Sequence, residues 1–213
     1  MTTTPPETRP PGPRSAKGAR TRARLVQAAK DIFAEQGLPD ARIVDITERA
    51  GVSYGSFYNY FDSKEELFRE IAAGVDALLR APMDDVILAR RSDLSPQDRI
   101  REAIRRHYQS YREEAAFLGA IEQAARLDSE VGASRARRQV DDTRLVAKSI
   151  RALQRHGLAD SKLDPTVAAA ALGAMTYRFG ELWLAQGGID CDFETGVDTI
   201  TRLYINALGL NAR

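Results

Sequence analysis

The stretch IVDITERAGVSYGSFYNYF, Ile43–Phe61, decides how the N-terminal part of the chain folds. Apolar residues recur at helical spacing on both sides of Gly51, and both flanking segments are short. Glycine at this point allows the positive φ that a tight turn between two helices needs. The stretch therefore predicts a helix, a turn and a second helix. Their inner faces would consist of the apolar residues Ile43, Ile46, Ala50, Val52, Phe57 and Tyr60 or Phe61.

The outward face of the second helix carries short polar side chains and aromatic hydroxyls. These residues are Ser53, Tyr54, Ser56, Tyr58 and Asn59. Such side chains on an exposed helix can reach phosphates and base edges in a DNA major groove. Lys64 begins the next predicted helix, where its ammonium group and the free helical amides can hold a phosphate. The alternative is a helical hairpin whose polar residues only face solvent.

The rest of the chain also follows helical periodicity, which makes the predicted fold class all-α with about nine helices. Residues 1–16 are predicted to be a disordered Pro-rich arm, and residues 17–63 a three-helix helix-turn-helix domain. Residues 64–213 form the predicted larger bundle. In that bundle, separate segments are expected around residues 100–111 and 117–121, and one helix from Pro165 to about Gln186.

Composition narrows the classes of function. The 213 residues include 31 Lys and Arg against 30 Asp and Glu, but the segment Arg14–Arg24 is basic and contains no acid. The single cysteine, Cys191, excludes an intrachain disulfide. The chain has two histidines and no serine-hydrolase, zinc-protease, P-loop or dinucleotide motif. We therefore expect no enzyme activity, cofactor or metal site. Since no secretion signal or membrane-length apolar run is present, we expect a cytoplasmic protein without a membrane partner.

The segment Thr21–Phe68 resembles the DNA-binding domain of the TetR/AcrR family of transcriptional regulators. The resemblance covers about a quarter of the chain and is carried by AGVS, G-x-F-Y-x-Y-F and S-K-E-E-L-F in the correct order and spacing. It implies a set of residues that contact double-stranded operator DNA, with Tyr58 and Lys64 mainly binding phosphates. That set is Ser53, Tyr54, Gly55, Ser56, Tyr58, Asn59 and Lys64.

Two positions depart from the family pattern. Arg42 stands where many members have a phosphate-binding threonine, and it can keep a phosphate contact. Thr47 stands where a small alanine usually packs between the helices, so its hydroxyl needs a backbone acceptor.

One recognition helix reads too few base pairs to select a genomic site, which favours a homodimer on a near-palindromic operator. The expected interface is formed by the last two helices, about Pro165–Gln186 and Asp192–Leu208. The first of these carries small residues, Ala168–Ala171, Gly173 and Ala174, on which helices can approach closely. The alternative is that these small residues pack inside the monomer.

The resemblance also implies a small-molecule effector that binds the bundle and releases the DNA. We expect a hydrophobic effector such as a lipid derivative, a steroid-like compound or a drug. The candidate ligand-binding residues are His107, Tyr108, Tyr111, Phe117, Met175, Arg178, Phe179 and Trp183. Aromatic residues at this spacing can equally form plain core. The predicted function is therefore a ligand-responsive transcriptional repressor; the alternative is a DNA-binding protein without a small-molecule sensor role.

Overall fold

A computed structural model describes residues 15–82 and 93–210. Within these ranges every regular element is helical, which confirms the predicted fold class. The eight α-helices are α1 (Ala16–Asp40), α2 (Ile43–Ala50), α3 (Tyr54–Phe57), α4 (Lys64–Pro82), α5 (Pro96–Leu127), α6 (Ser129–Arg155), α7 (Pro165–Gly180) and α8 (Phe193–Leu208). A five-residue π-helical segment, Glu181–Ala185, continues α7.

The N-terminal unit extends through Ile71 and includes the first turns of α4. The prediction placed the boundary between residues 63 and 64. Leu67 and Phe68 are buried, and the Phe68 ring packs edge-on against Phe33 of α1 with their centroids 5.1 Å apart. The first turns of α4 therefore close the core of the helix-turn-helix unit.

The second unit begins at Ala72 and is built around α5, which packs against α6, α8 and the π segment. The two segments predicted around residues 100–111 and 117–121 are one continuous helix of 32 residues. Strong helix formers join them, because the sequence between Tyr111 and Phe117 is Arg-Glu-Glu-Ala-Ala. The predicted caps are confirmed: Ser95 accepts a hydrogen bond from the Asp98 amide, and Asp164 caps α7.

The helix predicted to run from Pro165 to about Gln186 changes its hydrogen-bond pattern at Glu181. The Gln186 amide donates to the Glu181 carbonyl at 2.9 Å, an i to i+5 bond. This wider turn carries Trp183, whose indole N–H donates to the Cys191 carbonyl at 3.1 Å.

The predicted Pro-rich arm lies outside the described residues except for Ser15 and Ala16, where α1 begins. The Ser15 hydroxyl caps α1 by accepting from the Gly18 amide at 3.1 Å. Among the helices of the described ranges, none combines the length and apolar character that crossing a membrane requires.

Candidate nucleic-acid interface

The turn between α2 and α3 has the geometry that the sequence predicted. Gly51 has φ +63°, and its amide donates to the Glu48 carbonyl at 3.0 Å. Val52 continues the turn by donating to the Thr47 carbonyl at 3.0 Å. Arg24 of α1 supports the turn from outside, donating from Nη2 to the Gly51 carbonyl at 3.1 Å.

The predicted recognition residues lie together on one surface. Phe57 is completely buried beneath them, which fixes the face that α3 presents. Tyr54 and Tyr58 are 53% and 48% exposed, a large fraction for aromatic side chains. Ser53, Gly55 and Asn59 are exposed and Ser56 is half-buried.

Hydrogen bonds within this face hold its side chains in place. The Tyr54 and Tyr58 hydroxyls lie 3.1 Å apart, and their rings meet edge to face at 5.6 Å. The Ser53 and Ser56 hydroxyls are 2.7 Å apart. The bond from Tyr54 raises the pKa of Tyr58 above its usual value of 10, so the phenol remains a neutral donor at physiological pH.

A cavity of about 420 Å³ opens beside this face, between the first turns of α2 and α4. It is lined by Ala41, Arg42, Ile43, Val44, Tyr54, Tyr58, Asp62, Ser63, Lys64 and Glu65. Arg42 and Lys64 therefore line the same cavity as Tyr54 and Tyr58. Sequence reasoning missed Ile43 and Val44 as lining residues, because it assigned Ile43 to the inner face of α2 and gave Val44 no role.

Arg42 is placed as a surface cation at the start of α2. Its side chain is 71% exposed and binds both carboxylate oxygens of Asp45, at 2.7 and 2.9 Å. It is the N-cap residue of α2, yet its side chain makes no cap hydrogen bond. The first amides of α2 therefore have no side-chain acceptor from their own cap.

Lys64 lines the same cavity but directs its ammonium group into the protein. Nζ donates to the carbonyls of Leu38, Pro39 and Ala41 at 2.9, 2.9 and 2.8 Å. The predicted free phosphate-binding cation is thus engaged by three backbone acceptors. The periodicity of the sequence contains no signal for these contacts, because the acceptors are main-chain atoms.

The expected acceptor for Thr47 is confirmed. The side chain is 2% exposed, and its hydroxyl donates to the carbonyls of Ile43 and Val44 at 3.1 and 3.0 Å. A threonine therefore replaces the small residue without an unsatisfied polar group.

In the second unit, several of the candidate ligand-binding residues form an aromatic cluster. Tyr108 lies 5.8 Å from Phe179 and 5.5 Å from Trp183, measured between ring centroids. Phe193, which sequence reasoning did not select, stacks on Trp183 at 5.7 Å. The Tyr108 hydroxyl donates to the Thr176 carbonyl at 3.1 Å, so its polar end already has a partner. Tyr111 and Phe117 are each 1% exposed.

The polar candidates of that unit differ in position. His107 Nδ1 lies 3.2 Å from the Leu79 carbonyl of α4, and its Nε2 is buried without a hydrogen bond among the described residues. Burial lowers the pKa of His107, while the bond to Leu79 opposes that shift. Arg178 is 58% exposed and pairs with Glu181 at 2.6 Å, and Met175 is half-buried. The structure therefore places Arg178 on the surface.

A polar cluster not predicted from the sequence lies beside Tyr111. The Tyr177 hydroxyl donates to Glu122, which also pairs with Arg135. The Arg135 guanidinium lies 4.9 Å from the centre of the Tyr177 ring. These side chains come from α5, α6 and α7, so no local sequence pattern could have grouped them.

Comparisons with known proteins agree with this architecture. The family model for bacterial regulatory proteins of the tetR family matches residues 25–71. The HTH-type transcriptional regulator YdgC of Bacillus subtilis is 27% identical over 175 residues, which cover 81% of this chain and 85% of YdgC. The HTH-type transcriptional repressor KstR2 of Rhodococcus jostii is 40% identical over 79 residues, 37% of this chain and 35% of KstR2.

The fold of the whole chain has counterparts among solved structures. Salmonella enterica GusR superposes with a TM-score of 0.74 at 18% identity, covering 92% of this chain and all of GusR. The curated relatives that the chain matches are HTH-type transcriptional regulators and repressors, which are not enzymes. Residues 25–71 are thus similar to the DNA-binding unit of bacterial regulatory proteins of the tetR family, and most of the chain is similar to an HTH-type transcriptional regulator.

Proposed function

We propose that this regulator is a repressor that binds a near-palindromic operator as a homodimer and leaves it when a hydrophobic small molecule binds. The observation that carries the DNA-binding part is the exposed polar face of α3, built over buried Phe57. Two hydroxyl pairs, Tyr54 with Tyr58 and Ser53 with Ser56, hold donors and acceptors there at fixed positions. Their arrangement suits direct contact with DNA in a major groove.

The residues of this face differ in the part of the DNA that their chemistry suits them to contact. The Asn59 amide can both donate and accept, which suits the edge of an adenine. The neutral Tyr58 hydroxyl is suited to donate to a phosphate oxygen. Gly55 has no side chain between the helix and an approaching surface. Arg42 and the first residues of α2, Ile43 and Val44, line the cavity beside the tyrosines, a position suited to a second phosphate.

An exposed apolar surface on α7 supports the dimer. Val167 is 68% exposed, and Ala170, Ala171, Gly173 and Ala174 are exposed on the same helix. Leu203 of α8 is 45% exposed. Small side chains let helices approach closely, so a second copy can cover this surface by two-fold symmetry.

The aromatic cluster around Tyr108 and Trp183 supports a hydrophobic effector in the second unit. His107 Nε2 offers an acceptor to a donor group of such a molecule. Its Nδ1 contacts α4 at Leu79, and α4 continues without a break to Lys64 of the DNA-binding unit. An effector that shifts α5 therefore acts on a helix that both units share, and only a difference in its affinity for the two states can drive release. That the similar KstR2 is named a repressor supports repression.

The alternative is a DNA-binding regulator without a small-molecule sensor role. It is favoured by the satisfied Tyr108 hydroxyl and by the direct contacts among the aromatic rings, which together describe an ordinary core. Thermal shift measurements with acyl thioesters, steroids and aromatic drugs separate the two functions. A rise in Tm with these compounds supports the sensor. A rise only with small polar metabolites contradicts a hydrophobic effector, and no rise with any compound supports the alternative.

The DNA-binding proposal is tested by selecting bound duplexes from a random library at near-physiological salt. We expect a near-palindrome with half-sites about one helical turn apart. Tyr58→Ala should abolish the enrichment, and Tyr58→Phe, which keeps the ring, isolates the contribution of the hydroxyl. Asn59→Ala should relax the preference at one position of each half-site. No enrichment, or enrichment unaffected by Tyr58→Ala, would refute the proposed reading face.

A further inference from the structure

Lys64 lines the cavity beside the proposed DNA-binding face, yet its ammonium group donates to three backbone carbonyls. We propose that Lys64 is a positioning residue, which fixes the start of α2 and thereby holds Arg42 against the DNA backbone instead of binding a phosphate itself. This inference rests on the proposed DNA-binding function. Its geometric part concerns the free protein and can be measured without DNA.

The hydrogen-bond capacity of the ammonium group is the first argument. A lysine ammonium has three N–H donors, and Lys64 meets three carbonyls at 2.8 to 2.9 Å. Two of those carbonyls belong to Leu38 and Ala41, which are 7% and 1% exposed. A phosphate contact would have to replace one of these bonds and leave a part-buried carbonyl without its donor. The arrangement therefore favours keeping the cation inside.

The second argument is the position of the three carbonyls. They span the end of α1 and the residue before Arg42, where the chain turns from one helix into the next. Gly37, with φ +77°, interrupts α1 just before this segment. A helix end exposes carbonyls that lack helical partners, and a cation is favoured there. Lys64 thus ties the connection between α1 and α2 to the start of α4.

The third argument is that Arg42 depends on this support. Arg42 is the N-cap of α2 in extended conformation; its guanidinium pairs with Asp45, but its side chain gives the first amides of α2 no cap acceptor. The carbonyl of the preceding residue, Ala41, is the one closest to Lys64. At the other end of α2, Arg24 binds the Gly51 carbonyl. Both ends of α2 are therefore held by cations from neighbouring helices.

The test compares Lys64→Met and Lys64→Arg with Lys148→Met, which removes the same charge from an exposed position of α6. Arginine keeps the charge, but its planar fork cannot direct one nitrogen at three converging carbonyls. In the free protein, both Lys64 variants should lower Tm and speed hydrogen exchange about tenfold at the Ile46 amide, which donates to the Arg42 carbonyl at the start of α2. Lys148→Met should change neither.

DNA binding provides the readout that a purely structural role would not change. Arg42→Met should reduce the slope of log affinity against log salt by about 0.9, as expected for one lost phosphate contact. Lys64→Met should weaken binding and reduce the slope no further in the Arg42→Met background, because the two changes remove the same contact. Lys64→Arg should weaken binding despite its retained charge.

Three outcomes would overturn the inference. A Lys64→Met variant with unchanged exchange and a slope loss additive to that of Arg42→Met would make Lys64 a direct phosphate ligand. Full affinity in Lys64→Arg would do the same. A lower Tm with unchanged DNA affinity would reduce Lys64 to a stabilising residue. If the wild-type chain selects no DNA at all, the proposed function fails instead, and the exchange data still report whether Lys64 holds α2.

Discussion

At the scale of single residues, a substitution at Gly55 should affect DNA binding without lowering the stability of the fold. It lies inside α3 without a positive φ, and a Cβ built there would meet no atom within 4 Å. Glycine is costly within a helix, so Gly55→Ala should leave Tm unchanged or raise the free energy of unfolding by up to about 1 kcal/mol. If DNA approaches α3 at this residue, the same methyl group should weaken operator binding at least about tenfold, a cost of some 1.4 kcal/mol.

Gly74→Ala is the matched control for Gly55→Ala. Gly74 is an exposed helical glycine in the second unit, and its Cβ position is equally open. Its substitution should give a similar change in Tm with unchanged DNA affinity. If Gly55→Ala binds the selected operator as well as the wild type, the DNA does not approach closely at this position.

His107 makes the stability of the protein depend on pH. Burial holds its folded pKa below the ordinary value of 6.5, so the unfolded chain binds the proton more readily. The contribution to stability is complete above pH 6.5 and is lost as the pH falls through the folded pKa, by up to about 1.4 kcal/mol for each pH unit. Urea unfolding between pH 7.5 and 5.5 should therefore show a decline that is smaller in His107→Gln.

The second histidine serves as the control for this measurement. His156 is exposed at the end of α6, so His156→Gln should retain the decline seen in the wild type. A decline that survives in His107→Gln and disappears in His156→Gln would contradict the assignment to the buried imidazole.

The same scale shows where sequence reasoning reached its limit. Helical periodicity predicted the exposure of Tyr54, Tyr58 and Asn59 on a helix from Tyr54 to Tyr60. They are exposed, but α3 ends at Phe57, so Tyr58 and Asn59 lie in the turn that follows it. The contacts of Lys64 could not be predicted from periodicity, because its acceptors are backbone carbonyls, which every residue type has. Arg178 was predicted to contact a ligand, but its side chain is 58% exposed and pairs with Glu181, three residues further on.

At the scale of elements, the π segment after α7 places the Trp183 side chain against Gly196 of α8. A Cβ at Gly196 would lie 2.5 to 2.8 Å from three atoms of the Trp183 ring, so the indole occupies the space a side chain would need. Gly196→Ala should therefore force the ring or α8 to move and destabilise the protein by about 1 to 3 kcal/mol. Chemical denaturation monitored by fluorescence of the single tryptophan would measure both the stability and the displacement of the ring.

Gly119→Ala gives the contrasting result expected of an unconstrained helical glycine. Gly119 lies on α5, is exposed, and has no atom within 4 Å of its Cβ position. That substitution should stabilise by about 0.5 to 1 kcal/mol. Equal effects of the two substitutions would show that Trp183 does not depend on the space left by Gly196.

The helices themselves were predicted from periodicity and caps, with errors where tertiary packing decides. Helices α5 and α7 begin where the sequences Ser95-Pro96 and Asp164-Pro165 predicted. The change to π geometry at Glu181 was not predicted, because its apolar spacing still fits an α-helix. The placement of Trp183 between Tyr108 and Phe193 depends on α5 and α8, which are distant in sequence.

At the scale of the whole molecule, the proposed dimer rests on the exposed surface of α7. Ala171 lies on this surface, so Ala171→Arg places a long cation where the two-fold neighbour would pack. Burying that charge without a partner costs several kcal/mol, which should convert the dimer into a monomer. Sedimentation velocity and operator binding would measure the change, and affinity for the palindrome should fall together with dimerisation.

Ala133→Arg, on an exposed position of α6, adds the same charge elsewhere and should leave dimerisation and operator binding unchanged. A wild-type chain that sediments as a monomer, or an Ala171→Arg variant that remains dimeric, would move the interface away from α7.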